Sequence, residues 1–356
     1  MENTHGGNLT LYKNLLGEDA KILDFSSNIN PLGIPNSAKN ILKDIEQYIN
    51  IYPDIDYFAL RQSISNYTNI DIEKILVGCG ATELIHNIIN TIKPNKALNI
   101  MPAYGEYAIE LKKANCEIKE YFLEEKNDFN IDKELLYSYI DIDLVIICNP
   151  NNPTGSFIEK NDLFEILSFY KNKNINVLID ETYAEFSRNQ SALSLIDEFD
   201  NLYIIRGTSK FFGLSGLRLG YIISSNKEIL LSMKKNALPW TVNTIAEKIG
   251  EVVFQDIDFI ENSLKCTEEA MNYFTELIKE VPTLKTFNKN SNLLLVKILN
   301  DKKSTEFSNF CLKNNVVIRD LTYYGFKAEG DKFFRISPLL YKENIILGNL
   351  LKDFFK

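Results

Sequence analysis

The chain has 356 residues, 45% hydrophobic and 24% charged, a composition that excludes a disordered polymer and supplies enough apolar surface for one large domain and a smaller one. A formal charge of −9 excludes a general nucleic-acid or anionic-membrane surface, while leaving room for a local basic pocket. Met1 to Leu15 has no apolar run of signal-peptide length, no segment reaches the roughly 20 apolar residues of a membrane span, and five scattered cysteines lack metal-ligand spacing, so a cytoplasmic protein with reduced thiols and no metal is expected.

In chain order, short apolar runs alternate with amphipathic stretches, the pattern of a mainly parallel α/β domain. Strands are predicted at 74–79, 97–101, 144–148, 175–180, 202–206 and 219–223. Between the first two, Leu84, Ile85, Ile88, Ile89 and Ile92 share one face of a predicted helix over 81–92. From about Thr244 the pattern changes to a long helical segment, then strands at 293–298, 316–320 and 333–337, then a terminal helix. That change implies an amino-terminal arm with part of a small domain at 1–45, a large domain at 46–243 and a small α+β domain at 244–356.

The residues able to do chemistry fall at the carboxyl ends of the predicted strands, where open α/β sheets bind their ligands. The turn Gly78-Cys79-Gly80-Ala81-Thr82 opens the predicted helix, so its amides and the positive end of the helix dipole make Ala81 and Thr82 candidates for holding a phosphate. Tyr104 follows the next strand. After 144–148 comes Asn149-Pro150-Asn151-Asn152-Pro153-Thr154-Gly155, a run of turn formers on a buried strand. Asp180 ends the fourth strand with Tyr183 three residues on, and the fifth leads to Thr208-Ser209-Lys210, followed eight residues later by Arg218. Taken singly, each of these is a cap, a turn former or a surface charge. Arg319 and Arg335 lie on predicted strands nearer the carboxyl terminus; guanidinium groups bind carboxylate and phosphate through paired hydrogen bonds, so two facing one pocket suit an amino acid with a second anion.

Together, and in this order, the motifs resemble those of fold-type I pyridoxal-phosphate enzymes, which have a large mainly parallel-sheet domain plus a smaller α+β domain. The resemblance implies that Lys210 bonds covalently to pyridoxal 5'-phosphate and that Ser209, Arg218, Ala81 and Thr82 hold its phosphate. It further implies that Tyr104 stacks on the ring and that Asn152 and Tyr183 meet its phenolic oxygen. Asp180 would face the pyridine nitrogen, whose protonated form accepts electrons released at the substrate α-carbon. Gly207 departs from the pattern, standing where many relatives carry a hydroxyl. Tyr52, in Ile51-Tyr52-Pro53-Asp54, matches a tyrosine that reaches the cofactor phosphate of a neighbouring subunit, which implies a homodimer.

Thr4-His5-Gly6-Gly7-Asn8, the segment from Leu23 to Gly33 and Pro239-Trp240-Thr241-Val242-Asn243 resemble the threonine-phosphate decarboxylase family of cobalamin biosynthesis, a cousin of the histidinol-phosphate aminotransferases. That resemblance implies a small phosphorylated amino acid as substrate, contacted by His5, Gly6, Asn28, Asn152, Arg319 and Arg335. The reaction it implies is decarboxylation of L-threonine O-3-phosphate. Transamination of histidinol phosphate and decarboxylation of serine phosphate are the alternatives, the latter because one methyl group is worth only about 1–3 kcal/mol in a pocket. A non-catalytic module with this fold would be expected to have lost Lys210 or Asp180, and both are present.

Overall fold

The computed structural model describes residues 6–356, and among these the chain forms thirteen strands. They are β1 (Leu23–Asp24), β2 (Ile75–Gly78), β3 (Lys96–Met101), β4 (Glu117–Phe122), β5 (Leu144–Cys148), β6 (Asn176–Asp180) and β7 (Leu202–Gly207), then β8 (Gly220–Ile223), β9 (Leu284–Thr286), β10 (Leu294–Ile298), β11 (Val316–Val317), β12 (Arg319–Asp320) and β13 (Phe333–Ile336). Strands β2 to β8 make one seven-stranded sheet in the order β2-β8-β7-β6-β5-β3-β4. Only β8 runs against its neighbours, so the carboxyl ends of β2, β3, β5, β6 and β7 share one edge. The six apolar runs expected to form strands all do so within a residue or two of their expected ends. In β5 and β7 every residue is buried, because a parallel strand covered on both faces has no polar side to show. Strand β4 was not expected: its sequence, Glu-Ile-Lys-Glu-Tyr-Phe, mixes charge with apolar residues because it pairs only with β3 at the sheet edge.

The helix Gly80–Ile92 packs Leu84, Ile85, Ile88 and Ile89 against one face of the sheet. The long helical segment expected from about Thr244 is two helices, Thr244–Val253 and Ile257–Lys279. Asp256 interrupts it, because its side chain caps Phe259 N at 3.2 Å and accepts from Ser37 N and Oγ at 3.1 and 2.8 Å. Ala246, Ile249 and Val253 of the first helix join the core beside the large sheet.

Strands β12, β13, β10 and β9 form a four-stranded antiparallel sheet. The single strand expected at 316–320 is divided between two partners: Val316 and Val317 pair in parallel with Leu23 and Asp24, whereas Arg319 and Asp320 pair with Arg335 and Phe334. Phe25 lies edge-on to Phe274, at 6.3 Å, in the core of this smaller sheet. Five residues later Asn30 Nδ2 donates to Phe211 O and Ser263 Oγ, each at 2.7 Å, so a short strap joins both cores. The five cysteines are free, and among the described residues no helix is long and apolar enough to cross a membrane.

Behind β6 and β7, one buried guanidinium serves two buried carboxylates. Arg206 donates to Glu181 Oε2 at 2.7 and 3.0 Å and to Glu185 Oε1 at 3.4 Å. Glu181 gains two further donors, Ser191 Oγ and Ala192 N, while Glu185 Oε2 has no partner among the described residues. Burial pushes the Glu185 carboxyl up to about 7, with Arg206 pulling the other way. A raised folded-state value means that the native state holds a proton the unfolded chain has released. Its stabilising contribution is therefore complete below the ordinary carboxylate range and is lost as pH rises through about 7. Glu185→Gln should flatten the fall in melting temperature between about pH 5 and about pH 8.5; an unchanged fall in that variant would assign the pH dependence to another group.

Candidate active site

The cavity lies where the carboxyl edge of the large sheet meets β12, β13 and the strap. One corner is built from backbone. Gly80, with φ +83°, opens the helix Gly80–Ile92, and a Cβ there would sit 2.5 Å from Arg218 Nη2. The absence of a side chain lets Arg218 approach the amides of Ala81 and Thr82, with Ser209 and Ser215 completing the corner. Arg218 Nη1 donates to Ser209 Oγ at 3.3 Å and to Ser215 O at 3.2 Å. A helix amino terminus of thirteen residues, one guanidinium and two hydroxyls form a donor set suited to a phosphate.

Across the cavity, Asp180 is fixed by three donors. Its Oδ1 accepts from Thr182 N at 2.9 Å and Thr182 Oγ1 at 2.5 Å, and its Oδ2 accepts from Tyr107 OH at 2.6 Å. Burial raises the pKa of this carboxyl while those donors lower it. Lys210, in the loop after β7, donates from Nζ to Ser27 O at 2.7 Å. Burial first, and Arg335 second, push its ammonium down to about 8, so near neutral pH a larger minority of the amine is unprotonated and nucleophilic than in an ordinary lysine. The rings of Tyr104 and Tyr107 meet edge to face at 5.6 Å, and Thr82 Oγ1 lies 3.4 Å from Tyr104 OH.

The remaining wall carries the arginines. Arg319 and Arg335 stand opposite each other in register on β12 and β13. Arg335 donates through Nη1 to Asn152 Oδ1 and through Nη2 to Ser26 O, the latter at 2.6 Å. Burial, then its neighbour Arg335, holds the Arg319 guanidinium below its usual range, and the Tyr324 ring lies 5.4 Å beneath it. Asn28, at φ +60°, donates from Nδ2 to Tyr183 OH at 2.9 Å. Arg335 Nε and Asn28 Oδ1 are buried in this wall without partners among the described residues. Such groups are costly unless something completes them.

Ala81, Thr82, Tyr104, Asn152, Asp180, Tyr183, Ser209, Lys210, Arg218, Gly6, Asn28, Arg319 and Arg335 thus line one cavity. Tyr52 does not: it is 77% exposed and packs its ring on Trp240 at 4.7 Å. His5 lies outside the described residues. Sequence reasoning missed Ser27, Tyr107, Thr182 and Tyr324. Ser27 acts through a carbonyl, which no side-chain pattern reports. Thr182 was accessible in principle, since a hydroxyl two residues after an aspartate commonly closes a local turn onto it.

The parts fit pyridoxal phosphate: a phosphate corner, a carboxylate for a ring nitrogen, an aromatic beside them and a lysine with a lowered pKa. The profile described as aminotransferase class I and II matches residues 20–345. The chain is 31% identical to the threonine-phosphate decarboxylase of Salmonella typhimurium, over 94% of this chain and 92% of that protein. It is 32% identical to the histidinol-phosphate aminotransferase of Clostridium novyi, again over 94% and 92%. The crystal structure of the histidinol-phosphate aminotransferase from Clostridium acetobutylicum, 33% identical, superimposes with a TM-score of 0.88 over 94% of this chain and 99% of that one. The chain is therefore a pyridoxal-phosphate enzyme and belongs to the class I and II aminotransferase family.

Proposed function

We propose that this enzyme decarboxylates L-threonine O-3-phosphate to (R)-1-amino-2-propanol O-2-phosphate, a step of cobalamin biosynthesis. The observation that carries the reading is the buried pair Arg319 and Arg335, set apart from the phosphate corner at Arg218. With that corner occupied by the cofactor's phosphate, two further guanidinium groups call for a substrate with two anions of its own, a carboxylate and a phosphate.

Bound at this site, pyridoxal phosphate supplies an electron sink that weakens the bonds at the substrate α-carbon. Through the two arginines the chain would set the direction of the substrate carboxylate, and with it which of those bonds breaks. Lys210 would hold the cofactor and move the proton at the substrate α-carbon. Asp180 would hold the proton on the ring nitrogen, and Asn152 and Tyr183 would donate to the phenolic oxygen. Asn28 and the amino-terminal arm close the substrate side. A Cβ on Gly6 would meet Ser26 O at 2.4 Å, so the arm's backbone lies directly on the strap; His5, one residue earlier, is assigned to the substrate. Transamination of histidinol phosphate is the second reading, favoured by the equal similarity to relatives of that kind, and decarboxylation of serine phosphate is the third.

Tyr52 is assigned to the cofactor phosphate of a second copy. Ile51, Ile55, Phe58, Leu238 and Trp240 are exposed on the described chain along with it, and an apolar surface of this kind calls for a partner. A homodimer is the arrangement proposed.

Borohydride reduction of the purified protein followed by peptide mapping should label Lys210, and Lys210→Ala should abolish the label. A label on another lysine would remove the central assignment.

Carbon dioxide release from threonine phosphate should exceed keto-acid formation from histidinol phosphate and 2-oxoglutarate. Arg319→Ala, which leaves the contacts of Arg335 with Ser26 and Asn152 in place, should weaken the phosphorylated substrate by about 2–5 kcal/mol. Robust transamination without carbon dioxide release would select the aminotransferase reading instead.

A further inference from the structure

Asp180 is the only carboxylate among the described residues lining the cavity. A buried carboxylate placed against a pyridine nitrogen can do one of two things with the proton between them. It can remain ionised and leave the proton on the ring, or it can take the proton and leave the ring neutral. Only the first arrangement gives a strong electron sink. Burial favours the second, because it penalises the charged carboxylate. Something on the protein side must oppose it.

We propose that Tyr107 is a positioning residue that keeps Asp180 ionised by donating its hydroxyl to Asp180 Oδ2, and so keeps the proton on the cofactor nitrogen. The proposal rests on the reading that Asp180 faces that nitrogen. Tyr107 comes from the helix Glu106–Lys113, is 1% exposed and makes its hydrogen bond at 2.6 Å, a length typical of a hydroxyl donating to a charged oxygen. Burial holds the phenol protonated well beyond its ordinary range, so toward Asp180 it acts only as a donor. A donor to a carboxylate stabilises the ionised form. Thr182 supplies the other two hydrogen bonds, both to Oδ1, leaving Tyr107 as the single donor to Oδ2 among the described residues.

The other titratable groups around Asp180 do not substitute for it. Glu181 and Glu185 are committed to Arg206 and are of the wrong sign. Burial keeps the Cys148 thiol neutral, and Tyr104 is pushed the same way. Lys210 has the right sign but is consumed by its bond to the cofactor. Tyr107 also touches Tyr104 edge to face, so its ring is held from two sides and the hydroxyl has little freedom to leave the carboxylate.

The test reads the holoenzyme without substrate. Once bonded to the cofactor, the Lys210 nitrogen carries a proton that a charged pyridine nitrogen repels, so its titration, followed in visible absorbance, reports the ring charge. Tyr107→Phe should retain cofactor, raise the midpoint by about one pH unit and lower kcat about tenfold with little change in KM. Asp180→Asn should raise the midpoint further, and adding Tyr107→Phe to it should move nothing more. Replacing Tyr107 by 3-fluorotyrosine, a stronger donor of nearly the same shape, should move the midpoint down, which keeps the proposal testable if the phenylalanine variant misfolds. An unmoved midpoint in both position-107 variants, or an equal shift in the Asp180→Asn background, overturns the role of Tyr107. A titration untouched by Asp180→Asn instead removes the Asp180 reading, and the proposal with it.

Discussion

Four cationic side chains, Lys210, Arg218, Arg319 and Arg335, share one cavity with a single carboxylate, Asp180, in a chain whose formal charge is −9. Concentrating charge of one sign in a buried place is unfavourable, and the groups respond according to their chemistry. Arginine stays charged under all working conditions, whereas lysine yields its proton when buried. The lowered pKa of Lys210 follows from this arrangement: burial and the nearby guanidinium groups of Arg335 and Arg218 act in the same direction. The result is a cavity with fixed positive charge for anions and one adjustable amine for covalent chemistry. On the proposed reading one of these cations, Arg335, would both bind substrate and help make the lysine reactive.

Holding those charges together falls to the two sheets and the strap between them. The parallel strands deliver Asp180 and Lys210 to one edge because β6 and β7 run in the same direction side by side. The antiparallel pair β12 and β13 brings Arg319 and Arg335 into opposition, an arrangement of like charges that costs stability in a sheet. The strap offsets part of that cost. Ser26 offers a carbonyl to Arg335, Ser27 offers one to Lys210, and Asn30 N donates to the Lys210 carbonyl at 3.0 Å. A carbonyl is a neutral acceptor, so it steadies a cation without cancelling its charge, which keeps the cavity able to take an anion.

How legible this was in the sequence depended on the kind of force at work. Uniform burial writes uniform apolar runs, and the central strands β5, β6 and β7 were readable for that reason. Strand β4 is half-solvated and was not. The division at Asp256 escaped notice because a capping aspartate within an amphipathic pattern changes no periodicity. The split of 316–320 depends on which partner each residue finds, information that lies at Leu23 and Phe334, far away in the chain. In the cavity, Lys210, Asp180 and the turn at Gly78–Thr82 stood out because local order along the chain carries their geometry. Tyr107 did not, since a tyrosine on an amphipathic helix reads as core until the carboxylate it meets, 73 residues on, is known.

The choice between losing a carboxylate and losing a hydrogen cannot reside in the groups that hold the cofactor. On the proposed reading Asp180, Arg218 and Ser209 address the cofactor itself and are indifferent to the substrate bond that breaks. What discriminates is the angle at which the substrate is held, and only groups that touch its distal anion and its carboxylate set that angle. On the proposed reading those groups are Arg319, Arg335 and the amino-terminal arm lying against Ser26. Arg335 is doubly committed, to Asn152 on the cofactor side and to the strap on the other, so its orientation is fixed before a substrate arrives. Arg319 has the Tyr324 ring beneath it. A rigid guanidinium beside the cofactor suits the group whose direction must be controlled, the carboxylate, and the neighbouring guanidinium suits the distal phosphate. On the proposed reading that division of labour suits decarboxylation, because it assigns a donor already fixed by two contacts to the group that has to leave.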